Sequence, residues 1–310
     1  MSQRQQLIHI KQMPFVSIIV PTYNEGELLE ECITSVCGQD YPTYEVIVVD
    51  NGSTDNTREI CAGHPVRYIF FDKQSSSYAA RNEGAAHAKG DILAFFDADQ
   101  TMRSNYLSVL LADFTAKSDA KIFVNRLDDD PRVPTVLRRF YSLQHRPGED
   151  RAVRDAEGRI GAGCAAVPKW LFDQLGGFRA DLVSGGDFEF FARAVLIAKV
   201  QRAEVECAYH YWARSTTEYL LRRERYAYST CLTARENSSS IPSVIRMSFS
   251  MLADWIGKAV AASLVPLRYP ASEWRMRWEA QWIACRCRLA EVRGVWAYKR
   301  GSSRVGDLPA

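Results

Sequence analysis

None of the eight cysteines, Cys32, Cys37, Cys61, Cys164, Cys207, Cys231, Cys285 and Cys287, stands in a C-x-x-C pair. That absence removes the zinc-ribbon and thioredoxin-type readings. Cys285 and Cys287 fall in a predicted helix, where a spacing of two turns them to different faces, so they make no metal site either. Most of the cysteines have apolar neighbours, as buried reduced thiols of a cytoplasmic protein do. The opening MSQRQQLIHIKQM lacks the apolar core of a signal peptide. No run of ~20 uncharged apolar residues is present to cross a bilayer, since Asp254 and Lys258 interrupt the best candidate. No G-x-G-x-x-G follows the first predicted strand, where the sequence is P-T-Y-N-E-G, which argues against a nicotinamide or flavin enzyme. A glycine- and lysine-rich phosphate loop is missing there too, which argues against a nucleotidyltransferase.

Net charge is nearly absent, at +2 over 310 residues, but it is unevenly spread. Residues 241–310 hold eleven Lys and Arg against five Asp and Glu, a balance of +6, so the rest sums to −4. A basic tail on a mildly acidic body points to an anionic surface, lipid or phosphate, rather than to nucleic acid. The inner face of the cell membrane is the surface such a tail would meet. The composition is 47% hydrophobic and 25% charged, ordinary for a globular chain long enough to bury a substantial core.

Short apolar runs alternate with helical patterns. Strands are expected at 15–20, where Pro21 ends the run, at 44–49, 66–71, 92–96 and 121–124. The helices expected between them run from Glu25 to about Gly38, from Ser53–Asp55 onward, over 75–89 with a break at Gly84, and over 104–116. This spacing predicts an α/β fold with a mainly parallel, Rossmann-like sheet covered by helices on both faces. Further on come a helix over 188–198 and a strand over 203–209.

The stretch GDILAFFDADQTM, residues 90–102, is the centre of this pattern. Its strand ends abruptly in Asp97, Ala98 and Asp99, at the mouth of the sheet, where open α/β folds bind ligands. Two oxygen donors there suit Mg²⁺ or Mn²⁺ holding a phosphate group. A solvated turn, with one aspartate capping the next helix, fits the same triplet. Asp50 ends the second strand and faces the same crevice.

PTYNEGELLEECITSV, EVIVVDNGSTDNT, AARNEGAAHAKGDILAFFDAD and LGGFRADLVSGGDFEFFARA, taken together, resemble family 2 of the inverting nucleotide-sugar glycosyltransferases, which have the GT-A fold. The resemblance spans roughly residues 14–225. It implies a transferase moving a hexose-type sugar from a UDP- or GDP-sugar to a saccharide or lipid-linked acceptor. Pro21, Thr22, Tyr23, Glu25, Asp50 and Asn51 would hold the nucleoside, although Asn51 stands where a second aspartate is commoner. Arg81 would lie near the diphosphate, and Asp97 and Ala98 by the ribose or a metal-bound water. Asp99 would be the direct metal ligand, with Asp97 and His210 as further candidates. Asp187 occupies the position of the catalytic base, preceded by Gly186 where many relatives carry glutamate. Each has a plainer reading: Asp187 as a helix cap, Arg81 as a surface arginine, His210 as a packed histidine, Phe178 as core. Glu189 is the weaker base candidate, and the Asp128–Asp130 run reads as a solvated loop.

The expected domains are a GT-A body over 14–238, with a nucleotide-sugar half 14–125 and an acceptor half 126–238, and a basic, Trp-rich helical appendage over 239–310. In the appendage Trp274, Trp278, Trp282, Cys285, Leu289, Val292 and Trp296 form one predicted stripe. An in-plane membrane anchor through 243–300 and a hairpin packed on protein, including a second copy of this chain, both fit it. A non-catalytic binder of sugar nucleotides or of a membrane surface on the same fold is the competing function. Retention of Asp97, Asp99 and Asp187 together weighs against it.

Overall fold

The computed structural model describes residues 13–72, 76–111, 121–138, 158, 160–182, 184–224, 226, 279, 282–287, 289–291 and 293. By compactness the chain divides into two units. One comprises Met1–Asp128, Ala152–Ala180 and Asp187–His210, and the other Asp129–Arg151, Asp181–Gly186 and Tyr211–Ala310.

The first unit is built on a sheet. Strands β1 (Val16–Thr22), β2 (Tyr44–Asp50), β3 (Arg67–Phe70) and β4 (Ile92–Phe95) pair in parallel in the order β3-β2-β1-β4. Helices α1 (Gly26–Cys37), α2 (Thr57–Ala62) and α3 (Ser77–His87) connect them. β1 is buried along its whole length, as its mainly branched sequence requires of a strand covered on both faces. Val16, Ile18 and Val20 join Leu29, Cys32, Ile33 and Val36 of α1 in one core, while Ile19 and Val49 meet α3 on the other face.

Pro21 does not end β1. It pairs with Val49, beyond the point where the β1–β4 ladder stops at Ile19 and Phe95, so its missing N–H breaks no rung on that side. Gly84 does not break α3 either. A Cβ there would lie 2.6 Å from Ile19 Cγ2 and 3.1 Å from Val49 Cγ2, so the glycine lets the helix settle on the sheet.

Beyond β4 the sheet becomes antiparallel. β5 (Gln100–Met102), β6 (Lys121–Asp129), β7 (Ala165–Pro168) and β8 (Lys199–His210) complete eight strands in the order β3-β2-β1-β4-β7-β6-β8-β5. The parallel expectation thus describes the first four strands. Short helices α4 (Tyr106–Leu110) and α5 (Lys169–Gln174), a 3₁₀ turn at Ala162–Cys164 and α6 (Gly186–Ala194) fill this half. α6 starts two residues earlier and ends four earlier than its pattern suggested, and residues 112–116 of the expected helix after Ser104 lie outside the described residues. Asp128 and Asp129 belong to β6 and are not loop, and Asp130 is buried. Arg132 grips Asp130 through Nε and Nη2, which holds its carboxyl below the usual range.

In the second unit Val133, Leu137, Trp212, Ala213 and Leu220 pack with Ile283, Ala284, Cys287 and Ala290. Arg223 pairs with the buried Glu291, and Trp212 Nε1 donates to Asp129 at 2.8 Å. Most of the expected C-terminal stripe lies outside the described residues. Where it is described, Trp282 and Leu289 are exposed and the inward face runs through Ile283, Cys287 and Ala290, turned toward Trp212 and Leu137. Cys285 and Cys287 are both buried, so the covered arc is wider than a single stripe. Among the described residues no helix is long and apolar enough to cross a membrane.

Candidate active site

Because β1, β2 and β4 are parallel, their C-terminal ends lie along one edge, and the chain places Thr22, Asp50 and Asp97 there. Asp50 is buried at the end of β2. Its Oδ1 accepts from Ser53 N–H at 2.8 Å and its Oδ2 from the Tyr68 hydroxyl at 2.7 Å. Burial, and then Asp50 itself, raise the Tyr68 phenol far above its usual range, so it stays a donor. The loop after β1 is tied to the loop after β2. Asn51 N–H donates to Thr22 O, Asn24 N–H to Ser53 Oγ and Gly26 N–H to Asp55 Oδ2, each at 2.9 Å. Asn24 takes φ +52° to make this turn. Tyr23 is exposed, and Thr22 Oγ1 is buried with no hydrogen-bond partner among the described residues.

One side chain each from Asp97, Asp99 and His210 offers a ligand atom within 4.8 Å of the other two. β5 and β8 bring this about. Gln100 faces His210 in their antiparallel register, which sets the end of β8 beside the DAD turn, and His210 Nε2 lies 3.3 Å from Asp99 Oδ1. Two carboxylates and an imidazole form a donor set that can hold a divalent cation. Gly163 of the 3₁₀ turn presses on the cluster: a Cβ there would stand 2.1 Å from Asp97 Oδ2. Arg81 is not a surface residue. It is buried on α3, pairs with Asp97 Oδ1 and donates to Ser77 Oγ, while its Nε has no partner among the described residues. Ala98 is buried, and Cys32 lies under the turn with its thiol on Asp97 O, its pKa raised well up by burial and by Asp99 and Asp97.

Asp187 lies in the first turn of α6 and does not precede the helix as a cap. Its Oδ1 accepts from the Tyr78 hydroxyl at 3.0 Å and from Phe188 N–H at 3.0 Å, and its Oδ2 from Ala162 N–H at 3.3 Å. Burial raises its pKa, opposed by the Arg81 charge and by these three hydrogen bonds. Glu189 points elsewhere and pairs with Arg193, which also donates to Leu175 O and Gly177 O. Phe178 is core, with ring centroids 4.8 Å from Phe190 and 5.0 Å from Phe95.

Tyr78 and Arg81, three apart on α3, hold Asp187 and Asp97 respectively. Ala162 and Gly163, consecutive in the 3₁₀ turn, touch the same two acids. The sequence marked both acids and Arg81 but neither Tyr78 nor the turn. The available signals were the i, i+3 spacing of Tyr78 and Arg81 and the small-residue run GAGCAA.

Residues 17–176 match the model of the family described as Glycosyl transferase family 2. The glycosyltransferase AglE of Haloferax volcanii is 33% identical over 190 residues, which are 59% of this chain and 62% of that protein. The match therefore spans less than two thirds of that relative. Among solved structures, the mannosyltransferase PcManGT from Pyrobaculum calidifontis, in complex with GDP-Man and Mn²⁺, superposes with a TM-score of 0.58 at 22% identity, covering 94% of this chain and 88% of that one. S. aureus TarS 1–349 in complex with UDP gives 0.50 at 17% identity, covering 93% and 92%. At these identities the likeness is one of fold, and the fold is GT-A.

Proposed function

The chain belongs to glycosyl transferase family 2 and is a glycosyltransferase, and on that premise we propose that it is an inverting enzyme with Asp187 as general base. The donor is a UDP- or GDP-sugar of hexose type, and the acceptor is a hydroxyl of a saccharide or lipid-linked saccharide. What supports this reading is that one helix and one turn converge on both acids: Tyr78 and Arg81 of α3 bond Asp187 and Asp97, and in the turn Ala162 N–H bonds Asp187 while Gly163 packs closely against Asp97.

The acceptor oxygen attacks the anomeric carbon as the bond from that carbon to the diphosphate breaks, and the hydroxyl proton passes to Asp187. A base whose pKa is raised by burial suits that transfer. Asp99, Asp97 and His210 would hold the divalent cation, Mg²⁺ or Mn²⁺. When bound, such an ion supplies positive charge for the departing nucleoside diphosphate. Arg81 Nε and Thr22 Oγ1, buried and unpartnered among the described residues, are free to bond the donor's oxygens. Asp50 and Asn51, with Pro21, Tyr23 and Glu25, form the nucleoside end. The GT-A body is assigned to 14–238, with donor and acceptor halves meeting near residue 125, followed by the basic appendage 239–310.

The test is release of nucleoside diphosphate from UDP-glucose and GDP-mannose with Mn²⁺, with and without saccharide acceptors, for wild type, Asp187→Asn and Asp99→Asn. Both variants should lose at least about a hundredfold in kcat. Wild-type release from an Asp187→Asn protein, or pyrophosphate as the product, overturns the reading.

A further inference from the structure

The two oxygens of the Asp187 carboxyl are held unequally. Oδ1 receives two donors at 3.0 Å, the Tyr78 hydroxyl and Phe188 N–H, whereas Oδ2 receives the longer 3.3 Å bond from Ala162 N–H. A carboxylate oxygen has about two lone-pair sites, so Oδ1 is filled and Oδ2 keeps one. Gly161 adds no side chain on that flank, where a Cβ would reach 3.9 Å from Oδ2.

Tyr78 is buried and packed, its ring 5.7 Å from that of Phe178 and 5.6 Å from the Arg81 guanidinium carbon. We infer that Tyr78 is a positioning residue that occupies Oδ1 of Asp187 and so reserves Oδ2 for the proton of the acceptor hydroxyl. This rests on the reading of Asp187 as the base. Burial, and then the Asp187 charge, push the phenol far above its usual range, so Tyr78 remains a donor throughout the working range of the base. Among the described residues, the charged and titratable groups that act on Asp187 from the packed elements are Tyr78 and Arg81, both on α3. The turn contributes a neutral N–H, and Glu189 of α6 itself is engaged with Arg193. Removing the phenol takes away a donor that favours the ionised carboxyl and leaves burial less opposed, so the Asp187 pKa rises.

The experiment needs no knowledge of the natural substrate. In full-length protein labelled at aspartate carboxyl carbons, the Asp187 signal is assigned by its loss in Asp187→Asn and titrated in wild type, in Tyr78→Phe and in protein carrying 3-fluorotyrosine at position 78. The phenylalanine variant should titrate at higher pH than wild type, and the fluorinated phenol, a stronger donor of nearly the same shape, at lower pH. In donor hydrolysis with Mn²⁺, using whichever of UDP-glucose and GDP-mannose turns over, Tyr78→Phe should lower kcat about tenfold while the donor KM changes less than about twofold. A titration that neither substitution moves, or a change confined to thermal stability, overturns the inference and leaves Asp187 as the base. Wild-type turnover by Asp187→Asn removes the base itself, a separate and distinguishable failure.

Discussion

Gly163 lies so close to Asp97 that a Cβ on it would stand 2.1 Å from Oδ2, 2.5 Å from Cγ and 2.8 Å from Gln100 Nε2. Asp97 is also fixed by Arg81 on its other oxygen, and its own N–H donates to Gln100 Oε1 at 3.3 Å, so the carboxyl has no direction in which to yield cheaply. Gly163→Ala should cost about 1–3 kcal/mol of stability through this overpacking. On the proposed metal site, Mn²⁺ should raise the Tm of the wild type but not that of Gly163→Ala, because the added methyl displaces Asp97 from Asp99 and His210. Thermal melts with and without Mn²⁺ measure both effects, and an unchanged Mn²⁺ response would show that Asp97 is not a ligand.

Asn82, next to Arg81 on α3, clasps the backbone of Phe178 in both directions. Its Nδ2 donates to Phe178 O at 2.7 Å, and its Oδ1 accepts from Phe178 N–H at 2.9 Å. Asn82→Ala leaves both backbone groups beside a buried ring without that partner and should cost about 2–4 kcal/mol. Asn82→Asp keeps the acceptor for Phe178 N–H but sets a second acceptor oxygen against Phe178 O, so it should cost no less. Denaturant unfolding ranks the two, and a clearly milder loss in Asn82→Asp would mean that the acceptor half of the clasp dominates.

The four parallel strands were legible because each is a short apolar run ending in a turn signal; β1, β2 and β4 are largely buried, whereas β3 at the end of the sheet is partly exposed. The antiparallel half was harder. β5 is three residues long and was not expected, and β6 was expected only over 121–124, because Arg126, Asp128 and Asp129 in its second half leave no alternation to separate from loop. Asp97 and Asp99 stood out as carboxylates at the end of an apolar run, whereas Asp187 was marked by the resemblance to the family. Tyr78, Asn82 and Gly163 did not, since their roles depend on which residues 15 or more positions away fold against them. Pro21 and Gly84 misled for one reason: a breaker's local cost was read without the tertiary gap that accommodates it.

Glu189 is the second carboxylate of α6, but its pairing with Arg193, at 2.8 Å through Nε, turns it toward the Leu175–Gly177 turn. Glu189→Gln should keep kcat within about threefold of wild type and lower stability by less than about 1 kcal/mol, since both partners are partly exposed. A loss of a hundredfold or more in kcat with an unchanged melt would return Glu189 to the list of candidate bases.

The raised pKa of Asp187 gives one substitution two opposite effects. Burial makes the folded state bind this proton more tightly than the unfolded chain does, and the bonds from Tyr78, Phe188 and Ala162 offset that only in part. Stability from this group is therefore fully present below the carboxyl's unfolded pKa and is lost as pH rises through the folded value. Above that folded value the wild type is ionised there and bears the cost of the buried charge. Asp187→Asn removes the charge while keeping the shape, so it should abolish transfer and raise Tm at neutral pH. As the medium is acidified below the ordinary aspartate range the two proteins should converge, because the wild type is then neutral at this position as well. Melting curves for both proteins across that range check the sign. An Asp187→Asn protein that melts below the wild type at pH 7 would mean that the hydrogen bonds to the carboxylate outweigh its burial.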